Sequence, residues 1–237
     1  MTWSLIARDE STGRIGIAVA TCAFAVGARV PHIKTGVGAI ATQATTNIYY
    51  AQRGFALLAA GADAAHCVRF LIEADDGREH RQVHVMDRSG NFAAHTGSAC
   101  IPWCGHQIHA TYALAGNMLA GPGGLDETAR AYIANLHLPF ARRLLAAMKA
   151  GEDAGGDKRG RQSAALLIHD DEDHAALDLR VDDHADPLAE LSRLEEVARR
   201  HFVHARRVGP TRENPAGLVD EKERAAAIAR SIAEDYE

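Results

Sequence analysis

The first 21 residues alternate between apolar and polar segments. Residues 3–7 and 15–21 are apolar, and residues 9–13 between them hold acidic, hydroxyl and glycine side chains. Two short apolar runs joined by such a turn are typical of a β-hairpin. The second run is rich in Gly and Ala, so we expect another layer of the fold to approach it closely.

Similar patterns recur along the chain and divide it into groups of strands and groups of helices. The apolar run 36–42 is typical of a strand buried on both faces. Alternation on either side of the polar turn 87–91 predicts a second hairpin. The predicted strands are 3–7, 15–21, 36–42, 82–86, 92–97, 111–118, 163–168 and 176–181. Capping residues and apolar periodicity predict helices that begin near Asn47, Asp63, Asp126, Pro139, Asp186 and Asp220.

Hairpins dominate this order, so the predicted sheets are largely antiparallel. Pairs of helices fall between the groups of strands and can cover the outer faces of two sheets. Because every apolar face needs a cover, the order favours an α+β fold, a four-layer αββα sandwich with two mainly antiparallel sheets covered by helices. A single sheet with helices on one side is the alternative.

The composition is that of a globular protein rather than a disordered or fibrous one. Of the 237 residues, 47% are hydrophobic and 24% are charged, and the formal net charge is −5. Such an acidic chain is a poor candidate for general nucleic-acid binding, which needs a basic face. The longest apolar run, 15–28, has 14 residues, whereas a membrane-spanning helix needs about 20. The N-terminus becomes charged too early for a signal peptide, so we expect a cytoplasmic protein with no membrane or nucleic-acid partner.

Two regions are predicted: a domain over 1–207, and a linker with a C-terminal helix over 208–237. The segment 208–217 holds Pro210, Pro215 and two glycines, which favour a linker. An isolated helix of the final length is marginal in water. We therefore expect its thin apolar face to dock on the body or on a partner subunit of a homo-oligomer.

One cluster has the spacing of a metal site. Cys100 and Cys104, with His106 two residues on, form a Cys-x3-Cys-x-His pattern that can hold zinc. No second pair of ligands has matching spacing, and two small buried thiols beside a turn explain the same pattern. The acidic run 169–174, with a His at each end, is interpreted as a solvated turn. We therefore predict no metal and no cofactor.

Five separated motifs resemble one family found in bacteria and archaea. They are MTWSLIARD at 1–9, GVGAIATQA at 36–44, GNML at 116–119, GGDKRGRQSAA at 155–165 and DLRVDDH at 178–184. The family is the uncharacterised one numbered 1028 among domains of unknown function, placed in the Ntn (N-terminal nucleophile) hydrolase-like superfamily. The resemblance covers residues 1 to about 200. It implies the four-layer αββα fold but no established reaction.

The superfamily implies a nucleophile at the start of the first strand, with its own α-amine as the base. Thr2 fills that position once Met1 is removed. The reference pKa of an α-amine is about 7.7–8.0, so much of it can accept a proton near neutrality. A retained Met1 would block this amine, and Thr2 would then be an ordinary β-branched strand residue. Ser4 lies on the same strand face and is a second candidate nucleophile or substrate contact.

The resemblance also implies supporting residues. The Asn117 amide, or backbone N–H groups near Thr96 and Gly97, are candidates for the oxyanion hole. In the loop 155–162, Asp157, Lys158 and Arg161 are expected to orient the amine or to bind an acidic substrate group, with Arg161 as a bidentate fork. The remaining candidates for substrate contact are Lys34 and Gln162. As plain alternatives, Lys34 and Asn117 are turn residues and the loop is a flexible connection.

Two functions remain open on the sequence. The first is an Ntn-type amidohydrolase that cleaves a small amide or peptide bond with Thr2. The second is a non-catalytic, metabolite-binding relative on the same scaffold. A zinc hydrolase built on the Cys100 cluster is a third, more distant alternative.

Overall fold

The computed structural model describes residues 2–234, which form ten strands and seven α-helices. The strands are β1 (Thr2–Arg8), β2 (Ile15–Thr21), β3 (Pro31–Lys34), β4 (Gly38–Ala44), β5 (Arg81–Asp87), β6 (Phe92–Thr96), β7 (Gly105–Ile108), β8 (Tyr112–Asn117), β9 (Ser163–His169) and β10 (Leu177–Val181). The helices are α1 (Tyr49–Ala59), α2 (Ala64–Glu73), α3 (Gly123–Ala134), α4 (Phe140–Asp153), α5 (Pro187–Arg200), α6 (Phe202–Arg206) and α7 (Glu221–Ala233).

The strands form two antiparallel sheets. The six-stranded sheet has the order β10-β9-β2-β1-β8-β7, and the four-stranded sheet has the order β3-β4-β5-β6. All pairs of neighbouring strands are antiparallel, and the predicted hairpins β1–β2, β5–β6 and β9–β10 are confirmed. The chain therefore places β1, which begins at Thr2, in the interior of the larger sheet.

Three apolar clusters separate four layers. Between the two sheets lies a cluster that includes Ile6, Ile17 and Met86. The opposite face of the six-stranded sheet packs against α3, α4 and α5, and the outer face of the four-stranded sheet packs against α1 and α2. The predicted αββα sandwich is confirmed, and the single-sheet alternative is wrong because strands 31–44 and 81–96 pair only with one another.

The small residues of β2 allow helix α4 to approach closely, as expected. A Cβ atom added to Gly16 would lie 2.5 Å from Leu144 Cδ1 and 2.9 Å from Phe140 Cε1. Both distances are shorter than carbon–carbon contact at about 3.5–4.0 Å. The glycine therefore sets the spacing between this sheet and its helical cover.

The helix starts at Asp63, Asp186 and Asp220 agree with the capping prediction, whereas α3 begins at Gly123, three residues before the predicted Asp126. The Asp63 carboxylate accepts a hydrogen bond from His66 N, and the Asp186 carboxylate accepts one from Ala189 N. Asp220 does the same for the first turn of α7. Strands β3 and β7 and the short helix α6 were not predicted. Each is only four or five residues long, which is too short for a periodicity to develop.

The C-terminal segment folds back onto α6. Leu218 N donates to Val208 O, and His204 Nδ1 lies 2.9 Å from Ser231 Oγ on α7. The division into a domain over 1–207 and a C-terminal region stays a prediction. None of the helices within residues 2–234 has the length and apolar character needed to cross a lipid bilayer.

Candidate functional site

A row of polar side chains crosses the six-stranded sheet at the N-terminal end of β1. Strand register places Thr2 directly opposite Asn117 of β8 on one side and Thr21 of β2 on the other. Thr21 is in turn opposite Ser163 of β9. Directly opposite residues of antiparallel strands project from the same face of the sheet, so the four side chains form one row that faces the second sheet.

The second sheet presents a matching polar row. Gln43 of β4 is opposite Gln82 of β5, and Gln82 is opposite Thr96 of β6. Gln43 Nε2 donates to Gln82 Oε1 at 2.7 Å, and Gln82 Nε2 donates to Thr96 Oγ1 at 2.9 Å. Both glutamines are fully buried. One end of the interface between the sheets is therefore held by hydrogen bonds rather than by apolar packing.

Thr2 is fixed by this network on both of its polar groups. Its hydroxyl lies 3.1 Å from Thr21 Oγ1. Its carbonyl oxygen accepts from Gln43 Nε2 at 3.3 Å and from Asn117 Nδ2 at 3.4 Å. The residue keeps 9% of its surface exposed. Met1, whose removal would free the Thr2 amine, lies outside the described residues.

Ser4 and His84 form a buried pair one row deeper. Ser4 Oγ donates to Gln43 Oε1 at 2.7 Å and lies 2.8 Å from His84 Nε2. Since the single hydroxyl proton is directed at Gln43, the His84 contact requires Nε2–H to donate to Ser4 Oγ. Burial lowers the pKa of His84 to about 3, so the ring is neutral at pH 7.

This proton order argues against Ser4 as a nucleophile. A histidine that donates to a serine cannot take the proton of that serine. Both side chains are also completely enclosed, so a substrate carbonyl cannot reach them. Ser4, a candidate nucleophile or substrate contact on the sequence, is instead a structural link between the two sheets.

The polar loop before β9 packs against the end of β2. Asp157 Oδ2 accepts from Cys22 N at 2.7 Å, and Asp157 Oδ1 accepts from Arg159 N at 2.8 Å. Asp157 also forms an isolated β-bridge with Leu119, just after β8. These contacts bring the buried Asp157 carboxylate to the strand end that carries Thr2.

A cavity of about 120 Å³ lies beside this loop. Its wall includes Thr21, Asp157, Glu152 and Arg161. Arg161 Nε lies 3.3 Å from Glu152 Oε1, and Arg161 Nη1 donates to Asp186 Oδ2 at 3.0 Å. Burial raises the pKa of Glu152, and the neighbouring Arg161 charge opposes that rise.

The structure brings most of the candidate residues on the larger sheet and in the loop 155–162 to one end of the sandwich, but several already have partners in the fold. Arg161 is held by two carboxylates. Lys158 Nζ donates to Pro102 O at 2.9 Å, and Gln162 Nε2 donates to Asp183 Oδ1 at 3.1 Å.

The other candidates lie in the second sheet. Thr96 Oγ1 is held by Gln82 and lies 2.9 Å from His106 Nδ1. Gly97 N donates to Arg81 O at 2.9 Å, so this amide serves the fold and does not form an oxyanion hole.

Lys34 does not belong to this site. It pairs with Gly38 at the start of β4, whereas the end of β4 that faces Thr2 carries Gln43. At about 3.4 Å per residue, five residues along an antiparallel strand span about 17 Å. The structure therefore does not bring Lys34, a candidate for substrate contact on the sequence, to Thr2, because the turn after β3 lies at the opposite end of the sheet.

The cysteine cluster has thiol contacts typical of packed side chains. Cys100 Sγ contacts Arg81 O at 3.3 Å, and Cys104 Sγ contacts Cys100 O at 3.6 Å. Within residues 2–234, no group of three or more His, Cys, Asp or Glu side chains is arranged to hold a metal ion.

Sequence reasoning missed several residues of the site. They are Thr21, Gln43, Gln82, His84 and Glu152. One available signal is the spacing of Gln82 and His84, which alternate with valines in a strand. Two polar residues on one face of a buried strand indicate a polar contact with another layer.

Comparisons with known proteins identify a family and a similar solved structure. The model of a family of unknown function, DUF1028, matches residues 2–191. The crystal structure of protein SPO2555 from Silicibacter pomeroyi, which has the same family model, has a TM-score of 0.85 and 32% identity. The alignment covers 92% of this chain and 99% of that chain.

Two further solved structures are only distantly similar. Anbu (ancestral beta-subunit) from Yersinia bercovieri has a TM-score of 0.42 at 13% identity, over 83% of this chain and 94% of that chain. Anbu from Hyphomicrobium sp. strain MC1 has a TM-score of 0.37 at 13% identity, over 84% of this chain and 96% of that chain. Likeness at this level carries no argument about function. A search of curated proteins gives no match.

Proposed function

The chain belongs to DUF1028, a family of unknown function, and from the geometry at the start of β1 we propose that it is an amide hydrolase with Thr2 as its nucleophile. The proposed substrates are small amides or peptides. The mechanism is of the N-terminal nucleophile kind, in which the hydroxyl and the α-amine belong to the same residue.

The observation that carries the proposal is the row Thr21–Thr2–Asn117. A hydroxyl, a candidate nucleophile and an amide donor lie side by side at the end of an interior strand. Nucleophilic hydroxyl groups need a base within hydrogen-bond reach and a rigid environment. Thr2 has the rigid environment in its contacts to Thr21, Gln43 and Asn117.

The base in this proposal is the Thr2 α-amine, freed by removal of Met1. The neutral amine takes the proton of the Thr2 hydroxyl as Oγ1 attacks the carbonyl carbon of the substrate. The resulting ammonium then returns that proton to the leaving nitrogen as the C–N bond breaks. Water hydrolyses the remaining ester with the same amine as base, which restores the Thr2 hydroxyl and releases the acid.

Asn117 and Thr21 have supporting roles in this scheme. Asn117 Nδ2 makes one good hydrogen bond, at 3.0 Å to Gln82 Oε1, and one long contact to Thr2 O. The N–H group with the long contact is the donor assigned to the developing oxyanion. Thr21 Oγ1 holds the rotamer of the Thr2 hydroxyl. Asp157 is a positioning residue, because its carboxylate holds the loop against Cys22 N.

The experiment begins with the intact mass of the purified protein, which reports whether Met1 is removed. The processed protein is then screened for release of ammonia or amine from small amides and dipeptides. Thr2→Ala is expected to abolish turnover and Thr2→Ser to retain part of it. The exposed turn residue Thr12 gives the matched control, and Thr12→Ala is expected to keep wild-type rates. Full activity of Thr2→Ala, or of protein that retains Met1, would refute the mechanism.

A non-catalytic relative predicts a different result from the same screen. Its ligands would raise the melting temperature without being consumed. Stabilisation by a compound that remains intact in prolonged incubation with processed protein would favour the binding protein over the hydrolase.

A further inference from the structure

The cavity next to Thr21 has an unusual distribution of hydrogen-bonding groups. Trp3 and Gly156 form part of its wall, together with Glu152 and Arg161. Gly155 and Gly156 have positive φ angles of 122° and 43°, which L side chains rarely adopt. The loop therefore has no side chain at these two positions to fill the space.

Most charged groups around the cavity are already engaged. The Asp157 oxygens accept from Cys22 N and from Arg159. The Arg161 guanidinium contacts Glu152 Oε1 and Asp186 Oδ2. The expectation that Arg161 binds an acidic group of the substrate is therefore not supported, because two carboxylates of the fold already occupy its fork.

Glu152 is the exception. Its side chain is 5% exposed, and its Oε2 atom has no hydrogen-bond partner among residues 2–234; the same is true of the uncharged Trp3 Nε1 on this wall. An unsatisfied buried acceptor is costly, and a ligand that donates a hydrogen bond recovers that cost. The unmatched charged group on this wall is thus the Glu152 carboxylate, an acceptor that selects for a donor, whereas the unmatched Trp3 N–H group is uncharged.

The balance of charge points in the same direction. Two carboxylates, those of Glu152 and Asp157, line the cavity, against the one guanidinium group of Arg161. The excess is one negative charge. In a partly buried site with an apolar indole wall, that charge attracts a cation more strongly than it would in water.

We propose that this cavity binds the primary ammonium group of a small ligand, with Glu152 Oε2 as the hydrogen-bond acceptor. The volume of about 120 Å³ admits an alkylammonium of a few heavy atoms. The binding does not depend on turnover. Trp3 and Ala20 of its wall lie on the helix-covered face of the sheet and Thr2 is not part of the wall, so the site is proposed independently of the hydrolase.

The test compares two small ions of similar shape and opposite charge. Ethylammonium chloride and sodium propionate are titrated into the full-length protein at equal ionic strength and pH 7.5, and binding is followed by isothermal titration calorimetry. We expect saturable binding of ethylammonium and none of propionate. Tighter binding of propionate, or no binding of ethylammonium up to about 100 mM, would overturn the proposal.

Two variants locate the binding. Glu152→Gln keeps the shape of the side chain and removes its charge, and it should weaken ethylammonium binding about tenfold or more. The neighbouring residue Asp153 is exposed and pairs with Lys149, so Asp153→Asn is the matched control and should bind like wild type. Equal affinity in Glu152→Gln and wild type would overturn the proposal.

A measurement on wild-type side chains covers the case in which Glu152→Gln does not fold. The chain has two tryptophans, Trp3 and Trp103, and Trp103→Phe leaves the Trp3 indole N–H as the only such NMR signal. Titration of ethylammonium should shift the Trp3 indole signal, and the dissociation constant from this shift should equal the one from calorimetry. A signal that does not move would place the binding elsewhere.

Failure of this proposal is distinct from failure of the hydrolase. Thr2→Ala should retain ethylammonium binding whether or not the wild type turns over any amide. Loss of binding in Thr2→Ala would contradict a cavity site centred on Glu152.

Discussion

Replacement of Ser4 by alanine tests the buried link between the sheets. The hydroxyl of Ser4 joins Gln43 Oε1 at 2.7 Å to His84 Nε2 at 2.8 Å, and all three side chains are fully buried. Ser4→Ala removes both hydrogen bonds at once. It leaves the acceptor Gln43 Oε1 and the donor Nε2–H of His84 without partners, in a place too buried for bulk water to replace the hydroxyl.

The magnitude follows from the two orphaned groups. Each unsatisfied buried polar group costs about 1–3 kcal/mol, so Ser4→Ala should lower the free energy of unfolding by about 2–6 kcal/mol. That is a large part of the total stability of a typical domain, about 5–15 kcal/mol. The loss of a few side-chain atoms alone would cost far less.

The assay is equilibrium urea unfolding at pH 7.5, followed by far-UV circular dichroism. Ser89 is exposed in the turn between β5 and β6, and Ser89→Ala is the matched control, with an expected change within about 0.5 kcal/mol. A double-mutant cycle with His84→Phe should give a coupling energy of about 1–3 kcal/mol. The reason is that Ser4→Ala leaves the His84 Nε2–H donor without a partner, and His84→Phe then removes that donor. The reasoning is refuted if Ser4→Ala unfolds within about 0.5 kcal/mol of Ser89→Ala.

Three further predictions concern the same fold. Burial holds the pKa of His84 near 3, below the ordinary value of about 6.5, so below pH 6.5 the unfolded state binds a proton that the folded state does not bind. The free energy of unfolding is therefore at its full value above pH 6.5 and should fall by up to about 1.4 kcal/mol per pH unit below it. The fall should be less steep in His84→Gln, which urea titrations between pH 4 and 7 will measure. Gly16→Ala places a Cβ 2.5 Å from Leu144 Cδ1 and should cost about 1–3 kcal/mol by overpacking; an unchanged melting temperature would contradict this. Asp63→Ala removes the cap on His66 N and should cost about 1 kcal/mol, whereas Asp63→Asn, which can still cap, should remain close to wild type in the same unfolding assay.

The sequence predicts the layers of this fold well because its turns and caps are local. The Asp and Gly turn before Phe92 and the capping residue Asp186 act within a few positions of themselves. Strands β3 and β7 were missed because each has only four residues, two of which are polar. Pairing with a longer neighbouring strand stabilises them, and that pairing depends on the tertiary structure rather than on the local sequence.

The site is harder to predict because its contacts join distant segments. Thr2 and Asn117 were expected from motif resemblance, and strand register brings them together. Gln43 meets Ser4 across 39 residues, and no local pattern encodes that contact. Arg161 was expected to contact substrate, but its two carboxylate partners lie on α4 and at the start of α5, so its charge is already satisfied there.

The two ends of the space between the sheets differ in kind. Ile6, Ile17 and Met86 fill the half away from Thr2, where Thr35 Oγ1 also donates to Glu172 O at 2.6 Å, and amides and hydroxyls cross-link the end at Thr2. Apolar side chains can shift relative to one another at little energetic cost because their contacts are not directional. The hydrogen bonds that join Gln43 and Gln82 to the opposite strands are directional and oppose such a shift. Relative motion of the two sheets should therefore be smallest at the amide-rich end, so it would leave the geometry around Thr2 unchanged.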